Sequence, residues 1–186
     1  MEGFSVRSRL VQIVIAASFV LGSTTAVSTL ARQQIDLSVC FTPGRDCTQQ
    51  IVDEIDGAKR ELLVQAYSFT SIPIITAIIR AKKRGVVVRV ILDKSNHTGR
   101  YSGATYLVHH GINPLIDYRV SIAHNKVVII DGQTVITGSF NFTKAAQERN
   151  AENVLVIHHN PAIAGKYREN WIQRAAVSEP FGARPE

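Results

Sequence analysis

Short runs of β-branched and aliphatic residues alternate with helix-length segments from Ile35 to Val177, and this alternation constrains the fold more than any other feature of the chain. The runs "IDLSVCF", "ELLVQAYSF", "VVVRVILD", "PLIDYRV", "HNKVVIID", "QTVITGSF" and "AENVLVIH" read as strands. Several are apolar at consecutive positions, as strands covered on both faces are. Between them, "DCTQQIVDEIDGAKR" reads as a helix with Asp46 as its N-cap. "SIPIITAIIRAKKRG" reads as a helix that opens near Ser71 and stops at Gly85 with basic residues in its last turn. "ATYLVHHG" and "TKAAQERN" are shorter helices, and "PAIAGKYRENWIQRAAV" is a terminal one with Pro161 near its start. Asp131-Gly132 between two apolar runs predicts a hairpin, which makes the sheet mixed. The expected fold is α/β: a single domain over residues 32–177, with a mixed β-sheet flanked by helices on both faces in α-β-α layers. "KSNHTGRYSG" is expected to be a polar loop, and the tail, residues 178–186, to lack order.

The first 31 residues are set apart by their pattern. Arg7 and Arg9 precede the apolar run Leu10–Gly22, and the small, hydroxyl-rich "STTAVSTLA" follows. This is the layout of a secretory signal, with cleavage after Ala26 or Ala31, and a retained anchor is the alternative. The expected location is therefore periplasmic or secreted, with the membrane met only through this segment. Two cysteines, Cys40 and Cys47, follow closely. In an oxidising compartment they can pair, and the gap through Pro43 and Gly44 is compatible with a turn that brings them together. The 186-residue chain carries a net charge of +6; losing Glu2, Arg7 and Arg9 removes a net +1 and leaves +5. That excess suits a polyanionic partner. With 45% hydrophobic and 19% charged residues, the chain is no candidate for a disordered one.

The chemistry concentrates in "IAHNKVVIIDG". Charged side chains beside a buried strand are expensive unless they are paired or used. On a strand, residues two apart share a face, so His124 and Lys126 point the same way, as do Ser139 and Asn141 at the end of the next strand. Two adjacent strands can thus gather an imidazole, an ammonium, a hydroxyl and an amide at one end of a sheet. An imidazole can attack phosphorus or donate a proton, and an ammonium and an amide can hold phosphate oxygens. Asp131 has the opposite parity and reads as structural, pinning the turn or pairing with a basic group.

These residues carry a resemblance. His124, Lys126 and Asp131, then Gly138, Ser139 and Asn141, follow H-x-K-x4-D and x6-G-S-x-N without a gap, and this is similar to the signature of the phospholipase D superfamily. Glu152 matches an acidic residue that members place beside the histidine. Size, export signal and a single motif copy resemble the small bacterial endonucleases of that superfamily, over about residues 35–177. The resemblance implies a covalent phosphohistidine that water then cleaves, with no metal and no cofactor. It implies catalytic roles for His124, Lys126, Ser139, Asn141 and Glu152, with Glu152 orienting the histidine ring. Larger members resemble two fused copies, in which one histidine attacks and the other protonates the leaving oxygen. A chain with one copy can meet that need as a homodimer with a composite site.

The expected function is an exported phosphodiesterase acting on nucleic acid, DNA first and RNA second, with little sequence preference. A phospholipase or cardiolipin-type hydrolase is the alternative within the class, and a non-catalytic nucleic-acid-binding protein the alternative outside it. Lys94, His97, Arg100 and Tyr101 lie in a polar loop that could line a nucleic-acid groove, with Tyr101 stacking on a base. The basic "RAKKRG" at residues 80–85 reads as a solvated helix end, with phosphate steering as the second reading. His109-His110 and His158-His159 are adjacent pairs whose side chains diverge, which suits surface or packing roles better than metal binding. Trp171 reads as core.

Overall fold

A computed structural model of the chain describes residues 35–96 and 102–183. The expected signal segment, residues 1–31, lies outside them, as do His97, Arg100 and Tyr101. The strands are β1 (Asp36–Thr42), β2 (Glu61–Ala66), β3 (Val87–Asp93), β4 (Leu115–Asp117), β5 (Lys126–Ile130), β6 (Thr134–Gly138), β7 (Glu152–His158) and β8 (Glu179–Pro180). The helices are α1 (Cys47–Gly57), α2 (Ile72–Lys83), α3 (Gly103–Val108), α4 (Lys144–Glu148) and α5 (Pro161–Val177). Among the described residues the strands form one eight-stranded sheet in the order β1-β7-β6-β5-β2-β3-β4-β8. β2, β3 and β4 run parallel and the remaining neighbours antiparallel, so the sheet is mixed as the hairpin requires.

The uniform aliphatic character of β5 follows from its position. Val128 and Ile130 enter the core beneath α1 and α2, while Val127 and Ile129 enter the core beneath α5. Helices thus cover both faces of the sheet. Ile51 and Ile55 of α1, and Ile74, Ile75 and Ile78 of α2, supply one side. Trp171 supplies the other and donates its indole N–H to the Val64 carbonyl at 3.0 Å. Burying such side chains contributes about 1.5–3 kcal/mol each before conformational entropy is charged against it. The hairpin turn has Asp131 and Gly132 as its left-handed central residues, with φ of 55° and 69°, and Gln133 completes the three-residue connection from Ile130 to Thr134. Asp46 caps α1 by accepting from the Gln49 N–H at 2.9 Å. Cys40 and Cys47 form a disulfide with Cα atoms 5.6 Å apart, tying β1 to the start of α1.

Three expectations shift. The strand read from His124 begins at Lys126, because residues 118–125 form a loop that is held largely by the side chains of Asp93 and Lys94. The strand read over residues 114–120 ends at Asp117, whose carboxylate is taken by Arg174 of α5 at 2.6 and 2.8 Å. The tail is ordered as far as residue 183. Glu179 and Pro180 pair with β4, Phe181 donates its N–H to the Pro114 carbonyl at 2.9 Å, and its ring packs on the core. An otherwise free edge of β4 and an apolar anchor supply the reason for that order.

Candidate active site

The antiparallel register brings four chain segments together at one end of the sheet. Ala66, the last residue of β2, lies opposite Lys126, the first of β5. β6 ends at Gly138 where β7 begins, with Gly138 opposite Val154. The end of β2, the start of β5, the end of β6 and the start of β7 therefore meet, and they carry Tyr67, His124 with Lys126, Ser139 with Asn141, and Glu152.

His124 stands on a built loop. Asp93 accepts from the Ala123 N–H at 2.6 Å and from the Ser95 N–H at 2.8 Å. Burial pushes the Asp93 carboxyl up, but these two backbone donors and the nearby Lys94 charge outweigh it and leave it below the usual carboxylate range. Lys94 donates to the Val120 carbonyl at 3.3 Å, so it braces the same loop. The Tyr67 N–H donates to the Asn125 carbonyl at 3.0 Å, and the Asn96 amide donates to the Tyr67 carbonyl at 2.5 Å.

Lys126 is 6% exposed. Its Nζ donates to the His124 carbonyl at 2.9 Å and lies 3.0 Å from each ring nitrogen of His124. The equal distances single out neither tautomer. An ammonium can only donate, so the nitrogen that accepts carries the lone pair that an attack on phosphorus needs. Burial pulls the Lys126 ammonium below the ordinary lysine value, and the Glu152 carboxylate opposes that shift. Tyr67 completes the cluster. Its ring centroid lies 4.7 Å from that of His124 and 5.5 Å from Lys126 Nζ, within cation–π reach. Tyr67 was not visible as a site residue in the sequence, because only the β2–β5 register places it there.

Ser139 and Asn141 come from the segment after β6. Phe140 and Phe142 are buried on either side of Asn141, which turns Asn141 to the opposite parity. The Asn141 Oδ1 is itself buried and has no hydrogen-bond partner among the described residues. Ser139 donates to Glu152 at 2.6 Å and accepts from the Asn153 N–H at 3.1 Å. Asn150 donates to the other Glu152 oxygen at 2.9 Å. Among the described residues, Glu152 makes its hydrogen bonds to Ser139 and Asn150 and none to the His124 ring of the same chain, and its charge opposes the lowering of Lys126.

Gly138 is required by space as well as by conformation. Its φ is +145°, and a Cβ there would lie 2.3 Å from the Asn153 carbonyl oxygen. Gly138→Ala is expected to destabilise the fold by about 1–3 kcal/mol through backbone strain alone. It should also displace Ser139. Urea unfolding checks the first effect, and an unchanged midpoint would contradict it.

Asp131 faces away from the cluster, as its parity requires. Its carboxylate accepts from the backbone N–H groups of Lys59, Arg60 and Glu61 at 3.0, 2.7 and 2.9 Å. Burial would raise this carboxyl, but the three donors and the Arg60 charge hold it below its usual range. The motif aspartate thus clamps the entry to β2 at the far end of the sheet from His124.

A family model described as cardiolipin synthase, PLD-like domain, matches residues 51–174, which span β2 to β7 and every motif residue. The chain belongs to the phospholipase D superfamily. A Rickettsia conorii protein named phospholipase D is 46% identical over 150 residues, covering 81% of this chain and 74% of that one. The mitochondrial cardiolipin hydrolase of Danio rerio is 30% identical over 134 residues, covering 70% of this chain and 58% of that one. The solved structure of a phospholipase D family member, Nuc from Salmonella typhimurium, superposes with a TM-score of 0.75 at 37% identity, covering 80% of this chain and 99% of that one. NucT from Helicobacter pylori superposes at 0.73 with 26% identity, covering 80% and 100%.

Among the other described residues singled out from the sequence of this phospholipase D-like protein, Lys94 braces the His124 loop, while the basic helix end and the two histidine pairs make contacts of their own. Arg80 and Arg84 of "RAKKRG" bind Asp56 of α1 at 2.6 and 3.3 Å. They sit where α2 ends beside the start of β3, at the opposite end of the sheet, so the patch does not line the site. His110 bonds the Tyr106 carbonyl at 2.8 Å, and His158 bonds Ser38 at 3.2 Å. His109 and His159 are exposed.

Proposed function

We propose that this phospholipase D-type hydrolase is an exported, metal-independent phosphodiesterase that cleaves nucleic acid, DNA and RNA, with little sequence preference, at a site shared by two subunits. The observation that carries the reading is the convergence of His124, Lys126 and Asn141 at one end of the sheet, with Lys126 Nζ against the imidazole. In the first step a His124 nitrogen attacks phosphorus, a phosphohistidine forms, and the bond to the leaving oxygen breaks. That alkoxide takes a proton from His124 of the second subunit. In the second step the same imidazole, now neutral, takes a proton from water, which attacks phosphorus and releases His124. Lys126 and Asn141 hold the non-bridging oxygens as charge grows on them. Among the described residues, one chain brings a single histidine to this cluster and leaves Asn141 Oδ1 unpartnered. A second copy about a two-fold axis would supply the missing acid. The net charge of +6 and the likeness to Nuc and NucT support a nucleic-acid substrate. The Leu10–Gly22 pattern and the Cys40–Cys47 disulfide support export.

A lipid reading has its own support. Relatives at 46% and 30% identity are named phospholipase D and cardiolipin hydrolase. A hollow of about 480 Å³ lined by Ile72, Ile75 and Tyr106 includes Thr70. The Thr70 N–H donates to the Phe142 carbonyl at 2.8 Å, one residue from Asn141. Ile72 is 62% exposed there, an apolar surface beside the site.

One assay separates the readings: mature protein with plasmid DNA, RNA, and vesicles of cardiolipin and phosphatidylglycerol, each with and without excess EDTA. Cleavage of both nucleic acids that EDTA leaves unchanged and that falls steeply with salt is the expected result. Phosphatidate release with DNA left intact would favour the lipid reading. Activity lost to EDTA and restored by magnesium or zinc would overturn the histidine mechanism.

A further inference from the structure

Beside His124, on the α5 face of the sheet, lies a second cavity of about 320 Å³, lined by Gln65, Asp117, His124, Asn125, Asn170 and Arg174 among others. Its size falls at the low end of small-molecule sites, which run from about 300 to 1,000 Å³. Gln65 is the unusual wall. It lies on β2 opposite Val127, with the same parity as Leu63, so an apolar side chain is expected there. Instead an amide is buried to 3% exposure, and its Nε2 has no hydrogen-bond partner among the described residues. A buried donor left unpaired is costly, so its presence points to a partner that arrives from the cavity.

The walls define that partner. Asp117 and Arg174 neutralise one another through three short hydrogen bonds from Nε and Nη2, and Arg174 Nη1 is not used in that pair. A second anion would lie against the Asp117 carboxylate, and an alkyl chain would leave the Gln65 amide unpaired. A hydroxyl suits these groups, because it can accept from Gln65 and Arg174 and donate its one proton to the amide oxygen of Asn125 or Asn170. The shared wall of His124 places the occupant next to the reacting phosphorus.

We propose that this cavity is a subsite for the hydroxyl-bearing group, a ribose or a glycerol, esterified to the phosphate that His124 attacks, and that Gln65 is the residue that reads its hydroxyl. The proposal rests on the phosphodiesterase reading and adds a preference to it. A ribonucleotide linkage is favoured over a deoxyribonucleotide one, and a phosphatidylglycerol headgroup over phosphatidylethanol.

Gln65→Leu keeps the volume and removes the amide, and Gln65→Met is a second, unbranched version. Binding is measured by titration with ribose 5-phosphate, glycerol 3-phosphate and ethyl phosphate, which needs no turnover. The expected result is that both variants lose about tenfold in affinity for the two hydroxylated phosphates relative to ethyl phosphate, as loss of one buried hydrogen bond implies. In turnover, the wild-type ratio of RNA to DNA cleavage, or of phosphatidylglycerol to phosphatidylethanol cleavage, should collapse toward one. Collapse of the first identifies ribose as the source, and of the second, glycerol. Equal loss on all three phosphates, or no change on any, would overturn the subsite. Absence of turnover by the wild type on every phosphodiester would instead overturn the enzyme reading, and the binding ratios would still decide the subsite.

Discussion

Replacing His124 with alanine is expected to take turnover to background, a loss of at least about 10⁴-fold, while the fold survives. The size of the effect follows from the proposed shared site. In a homodimer the substitution removes the nucleophile from one subunit and the general acid from the other, so neither step of the reaction remains. Survival of the fold follows from position. The His124 side chain is exposed, and the loop that carries it is held by Asp93 through the Ala123 backbone rather than by the imidazole. Thermal unfolding and turnover measured on the same preparation check both halves. Appreciable residual turnover would remove His124 from the role of nucleophile.

The second large effect concerns Lys126, and its two consequences have opposite signs. Lys126→Met should lower turnover by about 10²–10³-fold, the range seen when one preorganised donor to a developing oxyanion is lost. The same substitution should raise stability, with a Tm increase on the order of a few degrees, because an ammonium held below its ordinary pKa by burial is carried at a cost. The pH dependence follows from the direction of the shift. The folded-state value is lowered, so the unfolded chain binds the proton more tightly. The penalty is fully present below the folded-state pKa and is relieved as pH rises towards the ordinary lysine value. The stability advantage of Lys126→Met should therefore be largest near neutrality and shrink in alkaline solution. Wild-type turnover should begin to fail at a pH below that of a free lysine. Loss of stability in Lys126→Met would show that the lysine is structural.

Much of this arrangement was legible because its signals are local. Pro161 and the helical run after it mark α5 at its observed bounds, and Asp131-Gly132 announces a turn that only left-handed backbone can make. The spacing of His124, Lys126, Ser139 and Asn141 places them at adjoining strand ends once the hairpin is accepted. What escaped the sequence depends on non-local register. Tyr67 and Gln65 follow ordinary strand residues, and only the pairing of β2 with β5 puts one against Lys126 and the other beneath α5. Glu152 was expected to hold the His124 ring, but the close approach of Gly138 to Asn153 brings Ser139 to its carboxylate first. The ordering of Glu179 and Pro180 depends on the free edge of β4, which no feature of "SEPFGARPE" reveals.

The shared site is the central claim, and a wild-type/His124→Ala heterodimer tests it most directly. Two differently tagged chains, co-expressed and purified through both tags, yield that dimer, and subunit exchange is monitored during the assay. A composite site leaves it one histidine for two tasks, and turnover near zero is the predicted result. Turnover near half that of the wild-type dimer, with no exchange of subunits, would mean that each chain owns a complete site and would contradict the account.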